Sequence, residues 1–281
     1  MVDRISVVPL NQTQKNILCV ANKFHKSYLD KISPLFDESL KNFDGSVYSR
    51  KTQMLIFLNK NLEIHYQAVK YLTMHGFGEQ GLGLCRTMFE IWFDSEYIRF
   101  TEDPNIGEKF LKWSRLNGFL KIQNQKKEDP EWVRAIKENL SQMLEAENRS
   151  LKDFEKEMVD LKNQLYNKKT PSHWTGISEK ERWKSIKKKS MEVIRNLKVG
   201  DRYVYPIGSD LIHGTDFTSP PQYPSSEDSI TTALAGGFWC FLGQTESLHD
   251  FLDLGLDGLW KEFNKAMNEL EQSGDLEKCP V

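Results

Sequence analysis

The chain has 281 residues, 39% of them hydrophobic, with 7 Trp and 16 Phe, enough apolar material for one large domain or two small ones. Charged residues make up 28% and balance to a net charge of −2, which argues against a protein that coats nucleic acid along its whole surface. Cys19, Cys85, Cys240 and Cys279 form no C-x-x-C pair, the stretch from Met1 to Leu10 has no signal-peptide run, and the longest apolar stretch, Ile230 to Gly243, is too short to span a bilayer. These features lead to an expectation of free thiols, a cytoplasmic setting, no metal or cofactor, and no membrane partner.

In chain order, Ile17, Val20, Phe24, Tyr28, Ile32 and Leu35 follow a three-to-four spacing that predicts a helix over about 13–43, kinked or divided at Pro34. His25 is expected on its solvated face. A second helix, about 49–75, carries Leu55, Leu58, Leu62, Tyr66, Val69 and Leu72 on one face and ends at Gly76 and Gly78. A third, about 79–100, has Leu82, Cys85, Phe89 and Trp92 on one stripe and is apolar nearly all round, so it should be central and buried. A fourth covers about 105–127 with Phe110, Trp113 and Leu120 inward.

Asp129-Pro130 is a helix start, Asp capping and Pro in the first turn. The helix it opens is expected to reach Tyr166, because Leu144, Leu151, Met158 and Leu165 repeat every seven residues and Leu140, Phe154 and Leu161 interleave with them; Glu147 interrupts the second series. Unbroken, about 36 residues would span roughly 54 Å. Such a helix projects or pairs as a coiled-coil arm, or packs along its own domain. The first alternative motivates a homodimer.

Ser178-Glu179-Lys180-Glu181 reads as a capping box opening a basic helix to about Leu197, with Lys184, Lys187, Lys188, Lys189 and Arg195. Gly200-Asp201 breaks the chain, and a short helix, started or kinked by Pro206, ends at His213-Gly214. Ser225 is expected to cap the next helix, which reaches about Leu252. Its small residues Ala233, Ala235, Gly236 and Gly237 suit close packing against the Arg86 helix. A last helix covers about 256–270. The expected fold is all-α: a single domain over 1–281 of about eight helices, an antiparallel bundle with one long helix. Within it, 1–45 is an N-terminal segment, 49–252 a core bundle with a polar site, and 253–281 a C-terminal helix and tail.

Polar groups on these otherwise apolar helices are the candidate site. Arg86 and Glu90 are four apart and share a helix face. They form a structural salt bridge, or Arg86 is an anion ligand and Glu90 a base or an orienter of histidine. Ser209 and His213 are also four apart. No Gly-x-Ser-x-Gly elbow accompanies them, so a serine hydrolase is disfavoured. His213 beside Glu90 suits general acid–base work near neutrality. Trp174 is either a core plug or a stacking platform for a base. Lys187 and Lys188, with Trp183 nearby, form either a solvated face or a track for a phosphate backbone.

The order Arg86-x-x-x-Glu90, then His173-Trp174-Thr175-Gly176, then Tyr205-x-x-x-Ser209-x-x-x-His213-Gly214 resembles a family of bacterial helical proteins described as a domain of unknown function, similar to groups found near phage-defence genes. The resemblance covers about 55–252. It implies a helical fold with Arg86, Glu90 and His213 at the centre of a site and Tyr205, Ser209, His173, Trp174, Lys187 and Lys188 around it. A more distant similarity is to HEPN-type helical ribonucleases, whose hallmark is R-x4–6-H on one helix; here Arg86 and His213 come from different helices. Two functions are therefore expected as alternatives. One is a defence- or stress-related, metal-independent ribonuclease-like or nucleotide-handling protein. The other is a non-enzymatic ligand sensor or protein-interaction module, with a partner protein in place of RNA or nucleotide, whose polar cluster is structural.

Overall fold

The computed structural model describes residues 8–41, 49–126, 128–206 and 225–253, together with 258, 260–261, 263–265 and 268. Among them every regular element is helical. The helices are α1 (Gln12–Lys41), α2 (Arg50–Met74), α3 (Gly78–Phe100), α4 (Ile106–Gln125), α5 (Pro130–Ala146), α6 (Leu151–Tyr166), α7 (Glu179–Lys189), α8 (Met191–Tyr203) and α9 (Glu227–Leu252). Helical residues between 258 and 268 belong to a tenth. The count exceeds the expected eight because two anticipated helices divide. No helix among the described residues is long and apolar enough to cross a membrane.

The described residues form two compact units, one from Met1–Phe100 with Ser185–Val281, the other Thr101–Lys184. In the first unit α3 is central, packed against α2 and α9. A short turn makes α2 and α3 antiparallel. The contacts of α3 with α9 advance in step, from Gly78 beside Ile230, through Gly243 beside Trp92, to Arg99 bonded to Asp250 at 2.8 Å. These two helices are therefore parallel, which departs from the antiparallel bundle expected. A long connection permits this, since the whole second unit intervenes in sequence between them.

Small residues set the α3–α9 spacing: of those expected to do so, Ala233 faces Gly81 and Gly237 faces Cys85 on α3, whereas Gly236 meets Val204 and Ala235 is exposed. A Cβ on Gly78 would lie 2.7 Å from the Ile230 nitrogen, and one on Gly243 would lie 2.3 Å from the Trp92 ring. On the other side of α9, Phe241 stacks on Tyr66 at 4.9 Å and meets Tyr28 edge-on at 4.9 Å. α1 continues through Pro34 rather than dividing there. Of the cysteines expected to be free, Cys85 and Cys240 are buried thiols, and Cys279 lies outside the described residues. Burial pushes the Cys85 thiol up to about 12.

In the second unit the expected long helix is absent. α5 stops at Ala146, Asn148 takes a left-handed φ of 57°, and Ser150 caps α6 by accepting the Asp153 N–H at 3.1 Å. The heptad residues fold back on themselves. Leu144, Phe154, Met158, Leu161 and Leu165 form a core with Leu116, Phe119, Leu120 and Tyr166, with Leu140 and Leu151 at its margin. Five of the seven heptad side chains are thus buried inside this core rather than presented on a projecting coiled-coil arm.

Local start signals behave as anticipated at Asp129, which accepts the Trp132 N–H at 2.9 Å, and at Ser178 and Glu181, whose capping box closes at 2.8 and 3.3 Å. The basic helix divides where Ser190 caps α8. The cap of α9 is Ser226, one residue beyond the expected Ser225. Ser225 instead ties the α2–α3 turn, donating its N–H to Gly76 at 2.8 Å and accepting that of Glu79 at 3.3 Å. Of the short helix expected to end at His213, only Tyr205 and Pro206 are described, both helical; the rest lies outside the described residues.

Candidate functional site

The close approach of α8 to α3 builds the site. Gly200, in the last turn of α8, sits against the buried ring of Phe89, where a Cβ would come within 2.5 Å of the ring. Without a side chain at 200, α8 lies flat on α3 and delivers Tyr205, just beyond its end, to the face of α3 that carries Arg86 and Glu90. Phe89 supports the arrangement from below, its ring 5.8 Å from that of Tyr205 and inclined at 63°.

Arg86 is held from two sides. Its Nε donates to Glu90 Oε1 at 3.1 Å, and its Nη2 donates to the Tyr205 hydroxyl at 3.3 Å. The guanidinium also stacks on the Tyr205 ring, 4.8 Å from the centroid. The Arg86 side chain is 15% exposed and that of Glu90 50%. The pair does not bury two charges, because Glu90 faces solvent. Among the described residues, Glu90 and Tyr205 are site candidates that meet Arg86. Ser209 and His213 lie outside the described residues.

The remaining candidates are placed as follows. His173 and Trp174 belong to the second unit. Trp174 is a core plug: it is buried, meets Phe110 edge-on at 5.2 Å, and its carbonyl accepts the Tyr166 hydroxyl at 2.6 Å. His173 Nδ1 faces the Thr175 hydroxyl at 3.0 Å and accepts the Thr175 N–H at 3.3 Å. Burial, and then the charge of Arg182, hold its imidazole down at about 4, so it is neutral at physiological pH. Lys187 and Lys188 are exposed in the last turn of α7.

Two buried polar clusters were not anticipated. His25, expected on a solvated face, is 7% exposed and its Nε2 lies 2.9 Å from Glu63 Oε1. Gln67 bonds both, and Lys60 reaches Glu63 Oε2 at 2.8 Å. Burial would raise the Glu63 carboxyl, but the hydrogen bonds from His25, Lys60 and Gln67 and the Lys60 charge outweigh it and hold the group at about 2. The second cluster is Glu96, which accepts from Trp92 at 3.3 Å and from the Ser247 hydroxyl and pairs with Arg99 at 3.5 Å. Burial raises its carboxyl. The available signal was a charged residue falling among core positions, Glu63 beside Leu62 and Glu96 beside Tyr97. Among the described residues no group of three or more His, Cys, Asp or Glu side chains could hold a metal ion.

No curated protein and no solved structure matches the chain. The segment that carries Arg86, Glu90, Tyr205, Ser209 and His213 does have relatives: residues 55–221 match the family of unknown function DUF5677, and the chain belongs to that family.

Proposed function

We propose that this protein recognises a phosphate-bearing ligand, RNA or a nucleotide, at Arg86, and that it acts as a metal-independent, ribonuclease-like protein in bacterial defence or stress. The observation that supports this is the Arg86–Tyr205 stack, made across 119 residues of sequence. A guanidinium held over an aromatic ring and fixed at its edge by hydrogen bonds is pre-organised for a phosphate. Its structural return is small. A half-exposed i,i+4 ion pair contributes about 0.3–0.5 kcal/mol, and a partly buried cation–π contact about 0.5–2 kcal/mol. Stability alone is a weak reason for the arrangement.

In this reading Glu90 or His213 takes the proton from a ribose 2′-hydroxyl, whose oxygen attacks phosphorus. The bond to the 5′-oxygen breaks, and that oxygen takes a proton from the other residue. Arg86 stabilises the charge gathering on the phosphoryl oxygens. A cytoplasmic location belongs to the same reading, in keeping with the free buried thiols of Cys85 and Cys240.

The second reading, a ligand sensor or interaction module with a structural cluster, is favoured by the way Glu90 and Tyr205 both engage Arg86 within the chain. Cleavage of labelled single-stranded RNA in the presence of EDTA separates the two. The enzymatic reading expects EDTA-resistant cleavage that His213→Ala abolishes at an unchanged melting temperature. Absence of cleavage by the wild type, or full cleavage by His213→Ala, refutes it.

A further inference from the structure

We infer that α2 is the seam of a two-fold dimer, in which it packs antiparallel against α2 of a second copy of this chain. The outward face of α2 motivates this. Phe57, Ile64 and Tyr71 lie seven residues apart on this helix and are 39%, 57% and 62% exposed. Asn61 and Ala68 fall between them, completing the four-three spacing of a helix–helix seam. The exposed side chains of α2 are Phe57, Asn61, Ile64 and Tyr71, so the crest carries no charge. The nearby cations are tied inward, Lys60 to Glu63 at 2.8 Å and Lys70 to Asn22 at 3.1 Å.

An uncharged crest favours its own kind. An acidic or basic partner finds nothing on it to pair with, whereas a second copy places no like charges opposite each other. The pattern is also self-complementary. With the two-fold axis level with Tyr66, Ile64 covers the second copy's Ala68, large against small. Asn61 then faces the second copy's Tyr71 hydroxyl, and Phe57 faces its His75 ring. Each contact occurs twice, as an isologous interface requires.

Size decides what else must take part. From 57 to 75 the crest is roughly 27 Å long, and a helix is about 10 Å wide. That is about a third of the roughly 800 Å² per partner of a stable interface. α1 lies beside it: the Phe36 ring is 5.3 Å from that of Phe57, and Leu29 is 38% exposed. Along 23–38 its outward charged residues, Lys23, Lys26, Asp30, Lys31, Asp37 and Glu38, carry both signs in equal number, so it adds a polar flank to the seam without net repulsion. This seam differs from the α5–α6 surface, whose heptad residues are mostly buried, and it does not depend on the chemistry at Arg86.

Sedimentation of the full chain tests the inference. The wild type should show a dimer mass as its concentration rises to about 0.1 mM. Ile64→Glu and Ala68→Lys should each be monomeric, with circular dichroism unchanged. Mixed in equal amounts they should recover the dimer, because the introduced carboxylate faces the introduced ammonium while the other Ile64–Ala68 contact stays intact. Ile64→Ser, which only truncates the crest, should weaken association at least about tenfold. A monomeric wild type, an Ile64→Glu variant that keeps the dimer mass, or a mixture that stays monomeric overturns the inference.

Discussion

Gly200→Ala should disturb the Arg86–Tyr205 contact without touching either residue. The added Cβ would meet Phe89 at 2.5 and 2.7 Å, against about 3.5–4.0 Å for an ordinary carbon contact. Phe89 is 4% exposed and packed against Trp92 and Phe93 at 6.4 Å each, so its ring has little room to yield. The end of α8 must therefore lift by about 1 Å, which takes a hydrogen bond of 3.3 Å beyond useful range. Overpacking of this kind costs about 1–3 kcal/mol. Replacing glycine by alanine in a helix returns about 1 kcal/mol. The balance is a loss on the order of 1 kcal/mol, or a fall of about 2–4 °C in Tm for a chain of this size. A thermal melt and an RNA-binding titration of the same sample read both effects. Phe89→Leu, which opens space at the ring, should make Gly200→Ala less costly in the double variant. A rise in Tm with unchanged binding would show helix propensity acting alone and refute the packing argument.

The pH dependence of stability should carry the signature of Glu63. Its folded-state carboxyl lies at about 2, below the ordinary 4.5, so its contribution is complete above about pH 4.5 and is lost as pH falls towards 2. After allowance for screening the amount is on the order of 2 kcal/mol. Denaturant melts of wild type and Glu63→Gln should converge as the pH is lowered; parallel curves down to pH 3 would contradict the assignment. His173 has the same sign from a different cause. Its folded value of about 4 lies below 6.5, so its contribution is full above pH 6.5 and falls away between there and pH 4. Its imidazole resonances in an NMR titration should stay in the neutral form down to about pH 5, and a midpoint near 6.5 would rule out the buried, Arg182-facing environment.

The helix starts were legible because capping is local. Asp129 and Ser178 satisfy their own chain's first N–H groups with side chains three residues away or nearer, whatever the tertiary surroundings. The break between α5 and α6 was not. A four-residue turn preserves a seven-residue repeat across a hairpin, so Leu144, Leu151, Met158 and Leu165 look alike in one long helix or two short ones. The left-handed Asn148 and the Ser150 cap decide it, and Glu147 was the visible trace of the interruption.

For the site, Arg86 and Glu90 could be paired from helix spacing alone. Tyr205 could be placed beside them only by the motif order, since the contact depends on the glycine at 200 letting α8 approach. His25 was misplaced because periodicity cannot tell a solvated histidine from one that meets a carboxylate on another helix, here Glu63 on α2. The parallel course of α9 along α3 follows from the route of the chain through a second unit, which no local pattern encodes.

Phosphate recognition by Arg86 is tested most directly by Arg86→Lys, which keeps the charge but removes the planar group that stacks on Tyr205. Fluorescence anisotropy of a labelled single-stranded RNA, titrated with each protein at fixed salt in EDTA, should show binding at least about tenfold weaker for the variant, with Tm within about 4 °C of wild type, because the contact contributes about 0.5–2 kcal/mol to the fold and lysine keeps the cation over the ring. Equal affinity of variant and wild type, or no RNA binding by the wild type, would contradict the account and leave Arg86 as part of the scaffold.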